Sequence, residues 1–158
     1  MKPLGVRLCN WLEISRYLLI SLGIFVAELK PDPQQQLIII SAFFVISIAG
    51  LTGVEGLWLG KYASSISGYT DSGRYQKQSA INNLSLAIVS ILATLLSWGV
   101  MAHLALLSVL CTFLLLSGTN HALDAICSGN RSLRNMFCPI ASFLLIAVAL
   151  KYILAALA

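Results

Sequence analysis

The chain has 158 residues, 58% hydrophobic and only 10% charged, with 10 basic against 6 acidic side chains and a formal charge of +4. Soluble domains carry roughly 25% charged residues, so a mean hydropathy of +0.87 excludes an ordinary soluble domain and points to one small integral membrane domain. Nucleic acid is excluded as a partner, because the basic residues are scattered through short loops and form no stripe with interleaved aromatics.

The first predicted span covers residues 8–29. It carries Glu13 and Arg16 ahead of the apolar stretch Tyr17 to Ala27, and these charges, three apart, can pair on one helix face. Lys2 and Arg7 before that stretch also fit a signal sequence, but Phe25 sits where a small residue is wanted before a cut after Ala27. A retained span is the favoured reading. Pro31, Asp32, Pro33 and Gln34 to Gln36 then make a short polar loop, since proline cannot continue a helix and holds its predecessor extended.

Span 2 is predicted over 37–59, with Gly50, Gly53, Gly56 and Gly60 on one face where another backbone can approach closely. Lys61 to Ala80 is the longest polar stretch. Its Gly68 and Gly73 predict an irregular loop, with helix resuming near Arg74. Leu84 to Ser117 then holds no Asp, Glu, Lys or Arg. A helix needs about 20 apolar residues to cross a bilayer, so this run makes two antiparallel spans, 82–98 and 100–119, joined near Ser97, Trp98 and Gly99. In the first, Asn83, Ala87, Ser90, Thr94 and Ser97 form a small, weakly polar packing stripe. The second is expected to continue as helix through His121, Asp124 and Cys127. A basic loop, 129–134, leads to Pro139 and a last span over 138–157. The fold expected is an all-α membrane protein, a five-span helical bundle with a four-helix core from spans 2 to 5 and span 1 packed outside.

Basic residues set the orientation. With the N-terminus cytoplasmic, the inner side receives Lys2, Arg7, Arg16, Lys61, Arg74, Lys77, Arg131 and Arg134, and the outer side only Lys30 and Lys151. On that topology Glu55, Asn82, Asn83, Asn120, His121 and Asp124 fall at one membrane face. An acidic residue in a span costs about 2.5 to 3.5 kcal/mol on insertion scales, which makes Glu55 a site candidate, although an ion pair with Lys61 would also explain it. Asn82 and Asn83 fit a helix cap and an interhelical hydrogen bond as well as a ligand contact. His121 and Asp124, three apart, have the spacing of a general-base pair and are the catalytic candidates; a surface salt bridge is the alternative. Arg74, Lys77, Arg131 and Arg134 surround the cluster and suit an anionic ligand or lipid headgroups. The four cysteines have no metal-ligand spacing, and each is read as small apolar filler.

From Arg74 onward the text R-Y-Q-K-Q-S-A-I-N-N, the step N-H-A-L-D-A at 120–125 and the loop G-N-R-S-L-R-N at 129–135 resemble the membrane-associated eicosanoid and glutathione metabolism proteins. The resemblance rests on Ala80 and Asn83 after basic Arg74 and Lys77, on His121 and Asp124 at the end of the next span, and on a basic loop into the last. Ser79 and Leu86 depart from that family's pattern. The resemblance implies a four-span trimer, glutathione as a possible cofactor and a glutathione-dependent or lipid-like-anion transferase. A non-enzymatic transporter subunit or assembly partner, in which the same polar residues only join helices, is the alternative.

Overall fold

The computed structural model describes residues 3–69 and 73–158. Lys2 and residues 70–72 of the long polar loop lie outside the described residues. The described residues form seven α-helices in order: α1 Leu4–Glu28, α2 Pro33–Val45, α3 Leu51–Trp58, α4 Gly60–Ile66, α5 Arg74–Leu95, α6 Val100–Cys127 and α7 Leu133–Leu157. A π-helical turn, Ile46–Gly50, joins α2 to α3, so Pro33–Trp58 runs as one span. Among the described residues, five helices are long and apolar enough to cross a membrane, as a small multi-pass membrane protein requires.

Several ends differ from the sequence expectation for identifiable reasons. Span 2 begins at Pro33, four residues early, because Asp32 caps it: its carboxylate accepts from the Gln34 and Gln35 amides at 3.1 and 3.3 Å. Pro33 occupies the first helical position, where its missing N–H costs nothing. Similarly, Ser132 accepts from the Asn135 amide at 3.3 Å and starts α7 ahead of Pro139, which lies inside the helix. The 61–80 segment is also less irregular than expected, since α4 occupies its first part. The turn at Ser97 to Gly99 stands where the sequence placed it, with φ of 51° at Ser97 and 88° at Gly99.

Span 2 is the axis of the bundle. Its α2 portion packs on α1, α5, α6 and α7, while α6 and α7 form the most extensive helix pair. The glycine face meets α5. A Cβ on Gly53 would stand 2.9 Å from both the Ala80 carbonyl oxygen and the Leu84 nitrogen, and one on Gly56 would stand 2.7 Å from the Ala80 Cβ. Ala80, Asn83, Ala87, Ser90 and Ala93 form the buried face of α5. Ala93 thus continues the expected stripe in place of Thr94, whose hydroxyl bonds the Ser90 carbonyl at 2.9 Å.

The apolar core gathers toward one end, where Leu37, Ile40 and Phe44 of α2 meet Leu106, Leu107 and Leu110 of α6 and Tyr152 of α7. Lys151 and Glu28 pair beside it at 2.6 Å. Polar side chains collect at the other end. The π turn lies between the two, with the Ser47 hydroxyl bonded to the Phe43 carbonyl instead of a neighbouring helix.

Candidate functional site

Where the core ends, α5 makes only slight contact with α6, and a cavity of about 320 Å³ occupies the space between α1, α3, α4, α5, α6 and α7. That volume is at the low end for small-molecule sites. One part of the wall is apolar, built from Ile20, Ile48, Phe113, Leu114 and Leu145; the other presents Glu13, Arg16, Glu55, Asn83, His121 and Arg134. Exposed Ser79 on α5 and exposed Tyr17 and Phe137 on α1 and α7 also belong to the wall, so the cavity reaches the outer surface of the bundle.

The charges of the wall form a chain across three spans. Arg16 of α1 pairs with Glu55 of α3. Arg134 of α7 bonds Glu13 through Nε at 2.6 Å and approaches Glu55 Oε1 through Nη2 at 2.9 Å. Glu13 and Arg16 therefore do not pair with each other, and Glu55 does not reach Lys61: each is drawn to an opposite charge on another helix. Two carboxylates and two guanidinium groups leave the chain electrically balanced. Its members are largely buried, and removing one would strand its partner in a poorly solvated interior.

A second polar cluster centres on Asn135, fully buried at the start of α7. Its Nδ2 donates to the carbonyls of Asn130 at 2.8 Å and His121 at 3.3 Å, with a longer approach of 3.4 Å to the Asp124 carboxylate. Its Oδ1 lies 2.5 Å from His121 Nδ1 and accepts from the Tyr69 hydroxyl at 3.2 Å. Burial, then the neighbouring Asp124 carboxylate, raises the Tyr69 phenol, so that it stays protonated and donates. Asp124 is held by Asn130 Nδ2 at 2.8 Å. The His121–Asp124 pair expected from spacing is thus replaced: the group that orients the imidazole is Asn135, from the facing helix. Asn130 also donates to the Ser67 carbonyl at 2.9 Å, beside Gly68, where a Cβ would lie 2.3 Å from Asn130 Oδ1 and φ is +80°.

Of the residues singled out from sequence, Glu55, Asn83, His121 and Arg134 line the cavity, and Asp124 lies just behind its wall. Arg74, Lys77, Asn82, Asn120 and Arg131 are exposed and absent from that wall. Asn82 and Asn120 each adjoin a site residue in sequence, but one helical step of about 100° turns them outward. Asn82 is not a helix cap either, because α5 begins eight residues earlier at Arg74. Sequence reasoning missed Asn135, Tyr69, Gln76 and Cys138, which have no charge to mark them in an apolar chain. The cysteines divide by surroundings: Cys9 is buried, Cys127 is exposed, and Cys138 lines the cavity, so apolar filler does not describe all four.

The model of a family of unknown function, DUF6790, matches residues 14–158, and the chain belongs to that family. No curated protein and no solved structure matches it.

Proposed function

We propose that this DUF6790 protein binds a single-chain, lipid-like amphiphile in the cavity, with the alkyl chain against Phe113, Leu114 and Leu145 and the polar head among Glu55, His121 and Arg134. The observation that carries this reading is the divided wall, apolar on one side and polar on the other, in a cavity that reaches the outer surface of the bundle. Because the charges balance, the head that fits best is uncharged or zwitterionic. Glutathione fits less well: its two carboxylates meet only Arg16 and Arg134 as cationic wall residues, and both are committed to glutamates. The distribution of basic residues in the sequence supports a cytoplasmic N-terminus, with the polar end of the cavity at that leaflet. Homotrimeric assembly follows only from the family resemblance stated above.

A second reading, a membrane protein in which these groups only join helices, is favoured by the charge chain, which ties α1, α3 and α7 together without any ligand. Thermal unfolding in detergent, with palmitamide, palmitate or reduced glutathione added, separates the readings. A ligand at 100 times its Kd stabilises by about 2.7 kcal/mol. Palmitamide is expected to raise Tm, palmitate to do so less and glutathione not at all. Stabilisation by glutathione alone would replace the amphiphile with a glutathione site, and no stabilisation by any of the three would leave the helix-joining reading.

A further inference from the structure

The cavity wall contains a thiol beside an oriented imidazole. Asn135 and Cys138 are three residues apart on α7 and share a face; His121 stands opposite them on α6, its Nδ1 2.5 Å from Asn135 Oδ1, and His121 and Cys138 line the same cavity. The acceptors around Asn135 Nδ2 fix the amide, so Oδ1 faces the ring. An amide oxygen accepts, so His121 Nδ1 carries the proton and Nε2 keeps the lone pair. A thiol, an imidazole and an amide that holds the imidazole in one tautomer are the components of thiol-based acyl transfer wherever they occur. The charge chain uses none of the three, and amphiphile binding gives no role to the thiol or to the amide.

We propose that Cys138 is a nucleophile that accepts the acyl group of a long-chain acyl thioester, with His121 as its base and Asn135 as the positioning residue. This rests on the amphiphile reading of the same cavity, whose apolar wall would hold the chain. The Cys138 thiol gives its proton to His121 Nε2 while Sγ attacks the acyl carbon. Collapse of the tetrahedral adduct breaks the bond to the departing sulfur, which takes the proton from the imidazolium. A thioester on Cys138 and a free thiol remain, with no oxidant, metal or further reactant consumed. Cys138 is the cysteine that lines the cavity, whereas exposed Cys127 has no such surroundings.

The test is intact-mass analysis of the purified full chain after incubation with the palmitoyl thioester of N-acetylcysteamine. One palmitoyl group is expected, mapped to Cys138 and removed by neutral hydroxylamine. Cys138→Ser should abolish the label and Cys127→Ser leave it unchanged. His121→Gln, whose amide can still donate to Asn135, should slow it about 100-fold or more, the lower range of a lost general base. Labelling of Cys127 or Cys111 instead, or His121→Gln reacting at the wild-type rate, would overturn the proposal. Palmitamide, which cannot acylate, separates the two levels. If it raises Tm and no acyl transfer occurs, the nucleophile fails and the binding site stands; if it neither binds nor any transfer occurs, both fail.

Discussion

The two halves of this bundle are built from the same five spans and packed in opposite ways. Toward the Lys151 end, Leu37, Ile40 and Phe44 fill the space against Leu107, Leu110 and Tyr152, and polar bonds between spans are isolated additions to that packing, as when Ser41 of α2 donates to the His103 carbonyl of α6 at 2.9 Å. Toward the other end, the helices enclose a cavity and polar side chains bond from one span to another. In lipid, association gains little from burying apolar surface, because acyl chains are as apolar as leucine. Close packing holds the first half together, whereas the second depends on ion pairs and amide hydrogen bonds. A half secured by directional bonds can hold open space that a half secured by packing cannot.

The sharpest way to break this contrast is Glu55→Ala, which leaves Arg16 unpaired and removes one of the two carboxylates beside Arg134. Loss of one partner of a buried ion pair costs about 3–5 kcal/mol, and sodium dodecyl sulfate titration should show a loss of that order. A change below about 1 kcal/mol would mean that the charge chain is solvated and does not hold the half together.

Next in size, Leu107→Ala in the packed half should cost about 2–5 kcal/mol, the range for a buried leucine. Leu145→Ala, which only enlarges a space already present, should cost clearly less. Equal costs would erase the distinction between packed and hollow halves.

Gly53→Ala probes the contact common to both. Its Cβ would meet backbone atoms of α5 at 2.9 Å, and backbone cannot move aside as a side-chain end can, so a loss of about 1–3 kcal/mol is expected. An unchanged midpoint would show that α5 is free to shift. The smallest effect belongs to Lys151→Ala at the exposed rim, where the pair with Glu28 lies in solvent or headgroups. No resolvable change in Tm is expected, and a large one would place that pair in a buried network.

The architecture was largely legible because the run from Leu84 to Ser117 admits no single crossing and the glycine steps mark a contact face. The partner of that face was not legible, since a row of glycines states only that something comes close. The site was half legible. Glu55, His121 and Arg134 announce themselves as charged or titratable residues near span ends, but their partners lie 14 to 121 positions away in the chain, and local spacing suggested the wrong pairs, Glu13 with Arg16 and His121 with Asp124. Asn135 was invisible for a different reason. Its role comes from full burial between α6 and its own loop, which residue type does not encode.

The most direct test of the hollow polar half is displacement of a fluorescent single-chain amphiphile by palmitamide in nanodiscs, comparing wild type with Ser117→Phe, which puts a ring into the cavity from α6. Saturable binding in the wild type, lost in Ser117→Phe while Leu107→Ala retains it, is the predicted result. Partition of the probe equal in all three proteins, with no displacement by palmitamide, would contradict it.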